Sequence, residues 1–148
     1  MLSTMLAHGA LGVGPKPSQA AARFAFDAAA EYGASLTVVR AWWPTAVFSS
    51  FTAPGSMYVD NVDLFRSSAL SEADAATVAL RAEYPDVEAR VVAAEGNTVP
   101  ALVEAARGTR LLVVGAHRHR GPLSAGPGYV VEGALAHSAP PVAVVPVR

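Results

Sequence analysis

The chain has 148 residues, of which 52% are hydrophobic and 16% charged, and a formal net charge of −1. That length suits one domain with a sizeable core, and so apolar a composition excludes charge-driven disorder. Near-neutrality gives no field to attract nucleic acid or an anionic membrane, and the lack of cysteine removes disulfides, thiolate metal sites and thiol nucleophiles.

The amino-terminal stretch Met1–Gly14 is apolar but carries no basic residue before Lys16, so it does not read as a secretory leader. A cytoplasmic protein is expected. Lys16 is the single lysine among eleven basic residues, a bias that suggests a GC-rich genome and says nothing of function. The first strand falls within Met5–Val13, a weak segment with two glycines and His8. A helix follows over about Ser18–Tyr32, with Ser18 as N-cap and Gly33 as stop. Its expected apolar stripe is Ala21, Phe24, Ala25, Ala28 and Tyr32.

Leu36–Ala41 is a β-branched run and a strand. The segment Trp42–Asp60 carries Trp42, Trp43, Phe48, Phe51 and Tyr58, aromatic residues that stack on a base, cover a core edge or meet a partner. Trp42, directly after Ala41, is the one placed to reach a ligand. A second helix runs from about Asp63 to Tyr84 and stops at Pro85, with Ala73, Thr77, Leu80 and Tyr84 on one face. Val87–Ala93 is a mixed strand. A third helix spans about Val99–Arg107, capped by Asn97 or Thr98, with Pro100 in its first turn. Leu111–Gly115 is a continuous apolar run and a buried strand. A fourth helix spans about Gly128–His137, and Val142–Val147 closes the chain as a strand whose Pro146 suits a sheet edge. No apolar run is long enough to span a bilayer.

Strands alternate with helices throughout, which implies a parallel sheet with helices on both faces. In such doubly wound α/β sheets, ligands bind at the carboxyl ends of the strands where strand order reverses. If the first and fourth strands flank that point, the loops Gly12–Ser18 and Gly115–Pro127 are the candidates. The second loop links an apolar strand to a helix through Gly115, Gly121, Gly126 and Gly128. Glycines admit close backbone approach, and a helix amino terminus suits phosphate. The same loop carries His117, Arg118, His119 and Arg120, which read either as a phosphate-binding cluster or as a solvated surface loop. The His117/His119 pair lacks a third ligand, and Arg118 between them repels a cation, so no metal is expected.

Val113–Gly121 together with Pro141–Val145 resembles the carboxyl-terminal signature of the universal stress protein family, with Gly115 and Gly128 at its first and last glycine positions. Arg23–Glu31, Ala34–Trp42 and Glu95–Ala106 resemble its first helix, second strand and third-helix turn, so the likeness spans roughly Gly12–Val147. The resemblance implies a three-layer, five-stranded parallel sheet in the order 3-2-1-4-5, of the adenine-nucleotide alpha-hydrolase-like class. It implies binding and signalling under stress rather than turnover, ATP or AMP as ligand (or no nucleotide at all), and a homodimer formed through the last strand, Val142–Val147. The implied nucleotide site is Gly14, Ala41, Val114, Gly115, Arg118, Gly121, Gly126, Gly128, Tyr129 and Val130.

The chain departs from that pattern at three places, and so resembles an actinobacterial-type variant with a degenerate ATP-binding motif. Arg118 stands for the middle glycine, Tyr129 for a small hydroxyl residue, and Gly14 for the aspartate that ends the first strand. Three functions stay open: a nucleotide-responsive module, a dimeric interaction protein whose site has decayed, and a weak ATPase. Phosphoryl transfer needs a Mg²⁺-binding carboxylate. No acid lies between Glu104 and Glu132, and no Gly-x-Ser-x-Gly elbow is present, so no enzyme is expected.

Overall fold

The computed structural model describes residues 7–43, 56–117 and 128–147, with the backbone alone for 56–61. Nine elements alternate along the chain: β1 (His8–Gly12), α1 (Gln19–Tyr32), β2 (Ser35–Trp42), α2 (Ser56–Glu83), β3 (Ala89–Glu95), α3 (Thr98–Ala105), β4 (Leu111–Ala116), α4 (Tyr129–His137) and β5 (Val142–Pro146). The strands form one parallel sheet in the order β3-β2-β1-β4-β5. The order reverses between β1 and β4, as the family resemblance implied.

Successive strand residues face opposite sides, which gives the molecule two cores. Leu11, Leu36, Val38 and Val113 pack beneath α1 and α2 with Phe26, Ala73 and Leu80. Ala10, Val39, Leu112 and Val114 pack beneath α3 and α4 with Leu102, Val131 and Ala134. Pro146 lies at the end of the edge strand β5, where its missing N–H costs no ladder bond. The opposite edge, β3, carries exposed Arg90 and Glu95 near its two ends, whereas Val142–Val145 of β5 are half-buried and uncharged.

Local signals set the helix ends. The Ser18 hydroxyl accepts the Ala21 N–H at 3.0 Å, and Gly33 closes α1 with φ of 62°. The buried stripe of α1 differs from the expected one. Ala21, Ala22, Ala25, Phe26 and Ala29 face the core, while Phe24 and Tyr32 are exposed. Phe24 and Phe26 sit two residues apart, so one helix face cannot bury both, and Phe26 is the ring that meets Tyr84 at 5.8 Å between centroids. The second helix begins at Ser56, earlier than expected, so the aromatic segment after Trp42 is shorter than its composition suggested. Residues 44–55, with Phe48 and Phe51, lie outside the described residues.

At the amino ends of β1 and β2, the His8 imidazole nitrogens stand 2.5 and 2.6 Å from the hydroxyls of Ser35 and Thr37. Burial and then the nearby Arg90 hold His8 below its usual pKa, with Glu88 opposing them. The folded state therefore binds fewer protons than the unfolded chain just below the ordinary imidazole pKa of about 6.5. Stability should rise with pH through that window and be lower beneath it. Urea unfolding at a series of pH values should show this slope, and His8→Gln should flatten it. On the opposite face, a Cβ at Gly133 of α4 would lie 2.6 Å from the Val99 side chain of α3. Gly133→Ala should therefore lower stability by about 1–3 kcal/mol despite the helix preference for alanine. Adding Val99→Ala should recover part of the loss, read by urea midpoint.

Candidate functional site

The crevice follows from strand stagger. Gly12, the last residue of β1, pairs with Val39, while β2 runs on through Arg40, Ala41 and Trp42. Those three residues rise roughly 10 Å beyond β1 at the usual rise per strand residue. On the other side β4 continues through Gly115 and Ala116, paired to Val145 and Pro146. A notch therefore stands over the end of β1, walled by β2 and β4, and this is the switch point of the sheet.

Gly14 lies at the floor of this notch. A Cβ built there meets no atom of the described residues within 4 Å, so among them a side chain has room. Gly115 is the opposite case. A Cβ there would approach the Ser18 Cβ at 2.8 Å. The first glycine of the motif is thus needed for β4 to pass under the start of α1, independent of any ligand.

Gly128 precedes α4 with φ of 101° and ψ of 163°, a region open in practice to glycine alone. Its carbonyl accepts the Glu132 N–H at 3.0 Å, the first turn of α4. The N–H groups of Tyr129, Val130 and Val131 are left without intrahelical acceptors. Tyr129 is 71% exposed, so its ring is not packed into the core. Val130 is half-buried against the α3–α4 core. A phosphate group suits this helix start by partial charge and by N–H donors that have no acceptor among the described residues.

The other expected residues separate into two groups. Val114 is 2% exposed and belongs to the α3–α4 core, so its backbone alone serves the crevice. Ala41 is buried at the top of β2. Arg118, Gly121 and Gly126, with His119 and Arg120, lie outside the described residues. Among the described residues no group of three His, Asp or Glu side chains stands ready to hold a metal ion, and no helix is long and apolar enough to cross a membrane.

Sequence reasoning missed a second concavity, beside the carboxyl ends of β2 and β3. Arg40, whose side chain is 16% exposed, donates to Glu72 of α2 at 3.0 Å and to the Ala41 carbonyl at 2.6 Å. Trp42 is buried beside it under the Arg66 guanidinium, 5.5 Å from the ring centroid. Only the position of Trp42 at a strand end hinted at this arrangement.

The sequence profile of the universal stress protein family matches residues 10–146. No curated protein matches the chain in sequence. Among solved structures, a universal stress protein from Lactobacillus plantarum is similar at 20% identity and a TM-score of 0.64, over 94% of this chain and 98% of its own. A universal stress protein in complex with cAMP is 25% identical with a TM-score of 0.52, over 96% and 99% of the two chains. A family protein from Burkholderia pseudomallei is 26% identical with a TM-score of 0.57, over 93% and 96%.

The two glycines flanking the notch should respond differently to the same change. Gly128→Ala should cost about 1–3 kcal/mol through backbone strain. Gly14→Ala, in open space with no positive φ, should leave stability unchanged or raise it by about 0.4–1 kcal/mol. Urea unfolding of both variants checks the contrast.

Proposed function

This chain belongs to the universal stress protein family, and we propose that it is a non-catalytic binding and signalling module of the stress response that takes an adenine nucleotide through an altered phosphate loop. The observation that carries this reading is the α4 start. Gly128 frees three N–H donors at the switch point, and the Tyr129 ring is turned out to solvent. The 25%-identical relative in complex with cAMP supports the ligand class.

In this reading the backbone of Tyr129, Val130 and Val131 holds phosphate, with Gly115 and the loop's Gly121 and Gly126 allowing close approach. Ala41 borders the base at the top of β2. Arg118 replaces the motif's middle glycine and supplies a planar charge in place of close backbone contact. ATP and AMP are the expected nucleotides. The carboxylate that in the family contacts the adenosine part of the ligand is missing at Gly14, and this feature favours the second reading, a dimeric interaction protein without a nucleotide. A slow ATPase is the third, and it lacks a carboxylate to place Mg²⁺.

Calorimetric titration with ATP, AMP and cyclic AMP, each with and without Mg²⁺, should give saturable micromolar binding of at least one. Gly14→Asp, filling open space with the absent carboxylate, should strengthen it by roughly tenfold, the worth of one good charged hydrogen bond. No heat from folded, nucleotide-free protein in either form would leave the interaction protein standing.

We also propose that β5 pairs with its copy across the two-fold axis of a homodimer, covering the half-buried Val142–Val145 edge. Analytical ultracentrifugation at micromolar concentration should report the mass of two chains. A strictly monomeric mass would overturn the dimer.

A further inference from the structure

The end of β1 far from the notch carries polar side chains that the nucleotide reading does not use. His8 pairs in register with Ser35, and Thr37 stands two residues further on the same face of β2. The imidazole bridges the two hydroxyls, with Nδ1 at 2.5 Å from Ser35 Oγ and Nε2 at 2.6 Å from Thr37 Oγ1. The Ser35 hydroxyl also donates to the Ala7 carbonyl at 3.5 Å.

A neutral imidazole gives every proton in this chain of bonds an acceptor. Ser35 Oγ–H gives to the Ala7 carbonyl, His8 Nδ1–H gives to Ser35 Oγ, and Thr37 Oγ1–H gives to Nε2. A second ring proton, on Nε2, breaks the last of these. Thr37 Oγ1 must then accept, and its own proton has no other acceptor among the described residues. Thr37 is 6% exposed, so that proton is stranded where water replaces a partner poorly.

Charge acts in the same direction. Arg90 of β3 stands opposite Thr37 in register and repels an imidazolium, an effect that Glu88 only partly offsets. The charged residues near the end of α3, Glu104 and Arg107, are exposed and paired with each other at 3.2 Å.

Outside the strand ladder, two backbone bonds fasten this end of β1. The Ser35 N–H gives to the Ala7 carbonyl at 3.2 Å, and the Arg110 N–H gives to the His8 carbonyl at 2.8 Å. Ala7 buries only a methyl group there, whereas Ala10 and Leu11, 0% and 1% exposed, anchor the strand further on.

We propose that His8 is a proton-operated latch on the amino end of β1. The neutral imidazole holds the strand end to β2. The imidazolium leaves the two hydroxyls for solvent and releases the chain as far as Gly9, while Ala10 and Leu11 stay seated in their two cores. Release returns His8 to its ordinary pKa of about 6.5, above that of the closed form. Opening therefore takes up a proton. It becomes more frequent as pH falls below that value, by roughly tenfold per pH unit at the steepest, and levels off below the closed-form pKa.

Amide hydrogen exchange on the isotope-labelled full chain, free of nucleotide and corrected for the intrinsic pH dependence of exchange, tests the latch. The Ser35 and Arg110 amides should exchange through a local opening, with little dependence on urea. That opening should become more frequent as pH falls. The Leu112 amide, bonded to the Pro141 carbonyl at 3.0 Å, should exchange more slowly and with the steep urea dependence of global unfolding. His8→Gln should make the local opening independent of pH. Arg90→Gln, a change at an exposed side chain, should move the His8 ring titration up toward about 6.5 and narrow the pH range over which opening grows. Equal urea dependence at Ser35, Arg110 and Leu112 overturns the proposal, because the strand end then opens only with the whole fold. Local opening that ignores pH in the unaltered chain, or still follows it in His8→Gln, overturns it too. An unmoved His8 titration in Arg90→Gln does the same.

Discussion

Ser18 joins two parts of the molecule. Its hydroxyl caps α1 by accepting the Ala21 N–H, and its Cβ occupies the space that a side chain at position 115 would need. The start of α1 and the end of β4 are thereby fixed against each other across the switch point. The same contact explains why the first glycine of the loop would be kept even in a chain with no ligand, so its presence is weak evidence of binding on its own. Gly128 is informative in another way, since its conformation is one that side chains avoid.

Much of the architecture was legible in the chain. Four helices and five strands were placed from their boundaries, and the alternation fixed a parallel sheet before the register was known. Capping residues carried most of that information, because Ser18, Gly33, Asn97 and Gly128 act on the adjoining helix turn and need no distant partner. What depends on rotation about a helix axis was less legible. In an alanine-rich helix such as α1 the hydrophobic pattern is nearly all-round, and choosing Phe24 over Phe26 turns the stripe the wrong way. The early start of α2 was hidden for a related reason, since an aromatic-rich stretch satisfies helix and loop patterns alike.

The site divides along the same line. Gly14, Ala41, Gly115 and Gly128 were named through the family resemblance, and each stands at or beside the end of a regular element. The cleft beside Trp42 could not be found that way. It is assembled from residues 40 and 42 at the end of β2, 72 on α2 and 97 at the start of α3, which come together only through the strand order. An ion pair such as Arg40–Glu72, thirty-two positions apart, leaves no trace in local pattern.

The two borders of the sheet are unlike. One ends in β5, apolar and uncharged over Val142–Val145, and the other in β3, with Arg90 and Glu95 exposed near its ends. Charged side chains on an edge strand discourage further strand addition. A sheet with one adhesive border and one guarded border has a valence of one. If copies join through β5, the join consumes the only site of growth, so the assembly terminates at two chains and cannot extend into a fibre. The charge on β3 would then act as a stop signal for polymerisation, a role that concerns the assembly rather than the isolated fold.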